Sequence, residues 1–206
     1  MPDKNFPLHV RLAALFHDIG KPPTRRKKGQ EYTFYGHEVV GAKITRNILK
    51  RLKFSTDLIE QVTNLVRWHM FFSDTEKITH SAVRRLVANV GQESVWDLMN
   101  VRVADRIGTG RPRENPYRLR KYKSMIETVM RDPVTVGMLK IDGNRIMEIA
   151  KIPAGPKIGH ILNALLEEVL DDPKLNSEDY LEKKVLELKD LSEKELQKLG
   201  EKGKEK

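Results

Sequence analysis

The sequence has no cysteine among its 206 residues, which excludes disulfide bonds, a thiol nucleophile and every zinc site built on cysteine. A metal ion bound by this chain would therefore need histidine, carboxylate or water ligands. No apolar run approaches the roughly 18 residues of a membrane-spanning helix, and the start MPDKNFPLHV lacks the apolar stretch of a secretion signal. We therefore expect a cytoplasmic protein with no membrane partner.

Charge is distributed unevenly along the chain. Lysine and arginine number 38 against 29 acidic residues, so 38 − 29 gives a net charge of +9. From Glu167 to Lys206 nine lysines stand against 13 acids, a local charge of −4, so the preceding part carries +13. With 39% hydrophobic residues, the chain can also form a core, because folding at this size buries roughly 70% of the unfolded surface.

The densest basic segment runs from Arg102 to Arg131, where nine basic residues against three acids give +6. Positive charge next to Tyr117 and Tyr122 suits a nucleic-acid backbone, because each neutralised phosphate releases condensed counterions. The alternative is a solvated helix face. The candidate RNA- or phosphate-binding residues are Arg106, Arg111, Arg113, Arg118, Arg120 and Lys121.

Apolar residues recur at helical spacing almost throughout the chain. LHVRLAALFHDIG predicts a first helix, TRRKKGQEYTFYG predicts a polar loop, and later helices are predicted over 81–90, 94–107, 116–130, 156–170 and 178–188. No run alternates with period two for long enough to predict a sheet. We therefore predict an all-α protein with a helical bundle over 1–131 and a small helical tail domain over 132–189. The charged end over 190–206 is expected to form one exposed helix before fraying.

Five side chains with nitrogen or oxygen donors occupy places typical of metal ligands. His17 and Asp18 are adjacent at the end of an apolar helix, where two polar groups are costly unless something binds them. His37 precedes a helix, His69 ends one, and Asp105 interrupts an apolar and basic helix. Taken singly, each histidine is more often a core or capping residue. Taken together, the five are the ligand set of a hydrolase in which one or two ions activate a water.

Lys21 lies one turn beyond the His-Asp pair, where its ammonium group can meet an anionic ligand. We expect Asp18 and Lys21 to be the catalytic residues, with Asp18 holding a divalent metal ion and Lys21 steadying a phosphate. The ion stays open among Mg, Mn, Co, Ni, Fe and Zn, because His and Asp sites accept all of these according to geometry and supply.

The segments RLAALFHDIGKP, GHEVVGA, LVRWHM and RVADR resemble the HD superfamily of metal-dependent phosphohydrolases. In this resemblance His17 and Asp18 match the doublet that binds divalent metal, and Asp105 matches the distal aspartate. His37 and His69 match the histidines of members that hold a second metal or a phosphate. The lysine of the family's HDxGK turn is also present, at position 21. The resemblance implies an HD helical bundle with metal-dependent phosphohydrolase activity.

A longer resemblance, over about 10–185, is to the C-terminal part of bacterial tRNA nucleotidyltransferases, the CCA-adding and poly(A) polymerase group that carries an HD domain. Three segments carry this resemblance: FYGHEVVGAKITRNILKRLKFS, RVADRIGTGRPRENPYRLRKY and KIDGNRIMEIAKIPAGPKIGHILNALLEEVLDDPKLN. It implies tRNA as a partner. It also implies an HD domain that, in some members, hydrolyses 2′,3′-cyclic phosphates, 2′-nucleotides or phosphomonoesters.

Two features depart from the family pattern. The sequence lacks the nucleotidyltransferase head with its paired carboxylates, so we expect no nucleotide transfer by this chain without a head domain on another chain. The superfamily's first ligand histidine comes from an upstream helix, whereas His9 lies ~12 Å along the helix from His17, too far to share an ion. Either that helix lies outside this sequence or the metal site is incomplete.

Three functions follow as hypotheses. The first is an HD-type phosphohydrolase acting on a phosphate ester of a nucleotide or RNA end. The second is the non-catalytic tRNA-binding half of a split or truncated CCA-adding tRNA nucleotidyltransferase. The third is a hydrolase of guanosine tetraphosphate or deoxynucleoside triphosphates, which leaves the tail after Pro133 without a role.

Overall fold

The structure is a computed structural model that describes residues 5–71, 78–110 and 116–201, and the described residues are mostly helical. The earlier helices are Leu8–Phe16 (α1), Lys21–Thr24 (α2), His37–Arg51 (α3), Thr56–Trp68 (α4), His80–Val90 (α5), Ser94–Gly108 (α6) and Tyr117–Val129 (α7). The later helices are Gly143–Ala150 (α8), Pro156–Asp171 (α9), Glu178–Leu188 (α10) and Glu193–Gly200 (α11). The predicted all-α class is confirmed.

The segment predicted as a polar loop contains a short antiparallel hairpin. Strand β1 (Arg26–Lys28) pairs with strand β2 (Glu31–Thr33), with Lys27 opposite Tyr32. Gly29 in the turn has φ +63°, a conformation that glycine adopts at little cost. The strands have three residues each, too few to produce the alternating pattern by which strands are found in sequences.

The chain divides into two compact units. The first comprises Met1–Glu76 and Asn89–Lys123, and the second comprises Lys77–Ala88 and Ser124–Lys206. The second unit therefore takes in most of α5 and the end of α7, which lie inside the predicted 1–131 domain. The predicted limits follow sequence motifs, whereas these units follow packing. None of the helices in the described ranges has the length and apolar character needed to cross a membrane.

The core of the first unit lies where α1, α4 and α6 pack together, with α3 alongside α4. Leu8 and Leu15 belong to the apolar pattern that predicts α1, yet they are 51% and 71% exposed. Other apolar residues of these helices are the ones that become buried. They include Val10, Ala13, Val62, Leu65, Val66, Val95, Leu98 and Met99. Helix α4 begins at a cap, because the Ser55 hydroxyl accepts a hydrogen bond from the backbone N–H of Leu58.

The core of the second unit includes residues from α8, α9, α10 and α11. Helix α11 differs from the exposed helix expected over 190–206, because Leu196 is fully buried and α11 packs against α9. A capping box starts it: the Ser192 hydroxyl accepts from the N–H of Glu195, whose carboxylate accepts from the N–H of Ser192. A single buried leucine in a lysine- and glutamate-rich segment leaves little hydrophobic signal in the sequence.

Two glycines bring α3 against the turn that follows α1. A Cβ atom at Gly20 would lie 2.1 Å from the carbonyl oxygen of His37 and 2.7 Å from the backbone nitrogen of Gly41. A Cβ at Gly41 would lie 3.3 Å from the nitrogen of Gly20. At the Gly20 position only glycine allows the two backbones to meet at this distance. This close approach places the first turn of α3, which carries His37, beside the turn that carries Asp18.

Candidate metal centre

The structure brings all five predicted metal ligands together in the first unit. The Nε2 atom of His17 is 3.3 Å from Oδ2 of Asp18 and 3.7 Å from Oδ1 of Asp105. The Nε2 atoms of His37 and His69 are 3.4 Å and 3.8 Å from Oδ1 of Asp18. One ligand atom each from Asp18, His37 and His69 lies within 4.8 Å of the others. The turn after α1, the start of α3, the residue that follows α4 and the last turn of α6 each contribute to the cluster.

All three histidines are oriented in the same way by the backbone. Each Nδ1 atom lies within hydrogen-bond distance of the carbonyl oxygen three residues earlier: His17 with Ala14 at 2.8 Å, His37 with Phe34 at 2.8 Å and His69 with Val66 at 2.7 Å. A carbonyl oxygen can only accept, so each Nδ1 carries a hydrogen. In a neutral ring the Nε2 lone pair is then available as a ligand.

The chemistry of this donor set fits a cation. The Nε2 atoms of His37 and His69 are 3.1 Å apart, and with both Nδ1 atoms protonated two lone pairs face each other unless a proton or an ion lies between them. Burial lowers the pKa of His69 to about 4, so this ring is neutral at physiological pH. Neutral imidazoles with carboxylates suit divalent transition metals as well as harder ions.

Asp18 is held as a carboxylate by Lys21, whose Nζ atom donates to Oδ2 over 2.6 Å. Burial raises the pKa of Asp18, but the hydrogen bond from Lys21 and the nearby His17 outweigh it, so the pKa lies below its ordinary value. Lys21 is 40% exposed. In this arrangement it contacts a candidate metal ligand, and its remaining N–H groups are available to a phosphate at the same place.

Asp105 has a partner that the sequence interpretation missed. Nη1 of Arg102 donates to Oδ2 of Asp105 over 2.8 Å, which leaves Oδ1 as the oxygen nearest His17. The two residues are three apart on α6, a spacing at which helical side chains meet, and this spacing could have revealed the pair. His9 instead contacts Oδ2 of Asp97 at 2.8 Å, so it contributes nothing to the cluster.

The predicted RNA-binding residues are less concentrated. Arg118 and Arg120 are exposed on α7, whereas Lys121 on α7 and Arg106 on α6 are partly buried. The other two, Arg111 and Arg113, lie outside the described residues. A role for this set in binding RNA stays a prediction.

Comparison with known proteins gives one family and several relatives. The HD domain family matches residues 3–126. The CC-adding tRNA nucleotidyltransferase of Thermus thermophilus is 40% identical over 164 residues, which cover 78% of this chain and 36% of that protein. The A-adding tRNA nucleotidyltransferase of Deinococcus radiodurans is 30% identical over 166 residues, covering 78% and 37%. The multifunctional CCA protein of Neisseria meningitidis is 25% identical over 124 residues, covering 58% and 29%.

These matches confirm the resemblance inferred from the sequence motifs. No solved structure matches the chain. The chain spans about a third of the length of the curated relatives it matches.

Proposed function

The chain belongs to the HD domain family, and from this premise we propose that it is a metal-dependent phosphohydrolase acting on a phosphate ester of a nucleotide or RNA end. The observation that carries the proposal is the pair of Nε2 atoms of His37 and His69, 3.1 Å apart and both close to the ionised Asp18. Two imidazole lone pairs and a carboxylate that converge on one point suit a cation.

His17, Asp18, His37, His69 and Asp105 would hold the ion. A divalent ion at such a cluster supplies a bound water of lowered pKa and positive charge for the phosphoryl oxygens. The chain's own residues prepare the site. Backbone carbonyls fix the three imidazole rings, and Lys21 and Arg102 keep the two carboxylates paired with a positive charge. Lys21 also presents its ammonium group to an incoming phosphate.

The test is hydrolysis of 2′,3′-cyclic AMP and of a phosphomonoester after removal of metal with a chelator, with each divalent ion added back separately. We expect turnover only with an added ion. Asp18→Asn and Asp105→Asn should each lose more than about 100-fold in activity, because ligand carboxylates set metal affinity and even their supporting partners cost 10- to 100-fold.

Asp97→Asn is the matched control, because Asp97 lies on α6 like Asp105 but contacts His9 outside the cluster. It should keep the activity of the unmodified chain. Unchanged hydrolysis in Asp18→Asn, or hydrolysis that persists in chelator, would contradict the proposal. An equal loss of activity in Asp97→Asn would mean that the carboxylates on α6 are needed for folding and take no part in the reaction.

A second candidate is a non-catalytic tRNA-binding half of a nucleotidyltransferase that works with a head domain on another chain. The exposed Arg118 and Arg120 beside the exposed Tyr117 on α7 favour it, as do relatives named as tRNA nucleotidyltransferases. Replacing Arg118, Arg120 and Lys121 together by glutamate should weaken filter-binding of tRNA. It should also reduce the salt dependence by about one unit of slope for each phosphate that is no longer neutralised. Asp18→Asn should leave tRNA binding intact, which separates the two candidates.

A further inference from the structure

A cavity of about 450 Å³ borders the candidate metal centre. Lys21 and His37 belong to both, because they line the cavity and also contact Asp18. The rest of its lining includes Tyr32, Phe34, Tyr35 and Met70. We call Tyr32, Phe34 and Tyr35 the aromatic wall. The cavity volume is in the range of pockets that take small molecules.

The aromatic wall is built by the segment that positions His37. This segment connects β2 to α3, and the Phe34 carbonyl accepts hydrogen bonds from both Nδ1 and the backbone N–H of His37. Gly36 completes the turn with φ +76°. The Phe34 ring centre is 5.9 Å from Nζ of Lys21. Two hydrogen bonds from His37 to the Phe34 carbonyl therefore connect the wall to the candidate metal centre.

Two tyrosines of the aromatic wall and the neighbouring Met70 expose large side chains to solvent. Tyr35 is 79% exposed, Met70 is 61% exposed and Tyr32 is 49% exposed. Aromatic residues make up only 6% of the chain, yet three of them fall within the four residues from Tyr32 to Tyr35. The guanidinium carbon of Arg25 lies 3.7 Å from the centre of the Tyr32 ring. Clustered exposed rings with cations beside them mark a binding surface.

We propose that the aromatic wall binds the nucleobase of the substrate while the phosphate lies at Lys21 and the metal centre. This inference rests on the proposed function, because that function places the phosphate. Bases stack on aromatic side chains without regard to sequence, since every base has a π face. Lys21 lines the cavity together with one acid, Glu38, and Arg25 stacks on Tyr32 outside the cavity lining. These two cations favour an anionic ligand with a flat ring over an apolar peptide. The site therefore selects nucleotides and RNA ends over sugar phosphates that have no base.

The experiment compares the binding of AMP and ribose 5-phosphate to the full chain by isothermal titration. Both ligands carry one phosphate on ribose, and only AMP has a base. We expect AMP to bind at least tenfold more tightly, which corresponds to one stacked base. Tyr35→Ala should reduce the affinity for AMP about tenfold and leave the affinity for ribose 5-phosphate unchanged. Tyr35→Phe should retain the preference for AMP.

Leu186→Ala provides the matched control, because Leu186 is an exposed apolar side chain on α10, 47% exposed, and does not line this cavity. Equal affinity of the unmodified chain for the two ligands would overturn the inference, and so would a Tyr35→Ala variant that weakens both ligands alike. Free phosphate is assayed after each titration. If the chain prefers AMP but releases no phosphate with any added metal ion, the proposed base site is supported and the proposed phosphohydrolase activity is contradicted.

Discussion

The two units treat their buried polar groups in opposite ways. In the second unit Arg84 is 9% exposed, and it donates to Asp132 over 2.8 Å and to the carbonyl oxygen of Leu170 over 2.7 Å. In the first unit His37 and His69 are 4% and 8% exposed, and their Nε2 atoms face each other. The arginine bonds only to acceptors of the chain, whereas the two histidines turn ring nitrogens toward each other beside Asp18. Burial of a polar group therefore does not mark a site, and neither does an unpartnered polar atom, because the buried hydroxyls of Thr45 and Thr63 have no partner among the described residues and lie outside the cluster. The candidate centre is marked by several lone pairs that converge on one carboxylate.

The largest test of this contrast is Gly20→Ala. The new Cβ would meet the His37 carbonyl, so α3 must move away and take His37 with it. We expect a loss of about 3 kcal/mol in the free energy of unfolding and no thermal stabilisation by added divalent ions. Denaturant titration and thermal melts with and without Mn²⁺ measure both.

The control for Gly20→Ala is Gly159→Ala in α9, where an added Cβ has no neighbour within 4 Å. This change should raise the stability by about 0.5–1 kcal/mol, because alanine is a better helix former than glycine. If Gly20→Ala were as stable as Gly159→Ala, the backbone at Gly20 could not lie as close to α3 as the structure shows.

A smaller effect is expected in the second unit from Arg84→Met. The substitution leaves Asp132 and the carbonyl oxygens of Leu170 and Asp171 without their donor. Because a buried acceptor without its donor is costly, we expect a loss of about 2–3 kcal/mol in the free energy of unfolding. The affinity for Mn²⁺ should not change, since the altered side chain lies outside the ligand cluster. Denaturant titration and metal titration measure the two quantities.

Arg145→Met serves as the comparison for Arg84→Met, because Arg145 also donates to more than one acceptor, Glu148 and Glu182, but at an exposed position. Exposed ion pairs contribute little, so its unfolding midpoint should stay at that of the unmodified chain. Equal unfolding midpoints in the two variants would show that the buried contacts of Arg84 stabilise the fold no more than the exposed ion pairs of Arg145.

Apart from the control variants, the smallest expected effect on stability is that of His69→Leu. The change removes a buried lone pair that faces His37, so the free energy of unfolding in chelator should stay within about 1 kcal/mol of the unmodified chain. Stabilisation by Mn²⁺ should nevertheless disappear. A loss in chelator as large as that of Arg84→Met would mean that the chain already satisfies His69, and the contrast between the units would fail.

Helix positions could largely be predicted because apolar spacing and caps are local. The helix predicted over 178–188 is α10, and the one predicted over 94–107 ends one residue later, at Gly108. The hairpin and α11 could not be predicted in this way. The first rests on three residue pairs, and the second rests on one buried leucine that packs against a helix about 30 positions earlier in the chain.

The residues of the candidate centre could be named from type and motif, and their role as metal ligands stays a prediction. What the sequence did not reveal depends on which segments meet in space. Gly41 appeared only as a letter in GHEVVGA, yet its close approach to Gly20 positions His37. The sequence predicts only a polar loop where the aromatic wall lies. Rings shortly before a histidine do not indicate a binding surface until the structure shows that the turn places them beside Lys21.

The acceptors that orient the three imidazole rings are main-chain atoms, and this has a consequence for how the site can change over time. No exchange of the side chain at Ala14, Phe34 or Val66 deletes a carbonyl oxygen, so the tautomer of each ring survives substitution at the position that sets it. Variation around the centre can therefore change the surroundings of the three Nε2 atoms while the rings keep their orientation. A designer who wishes to retune this protein can begin with the surrounding side chains and leave the histidines alone.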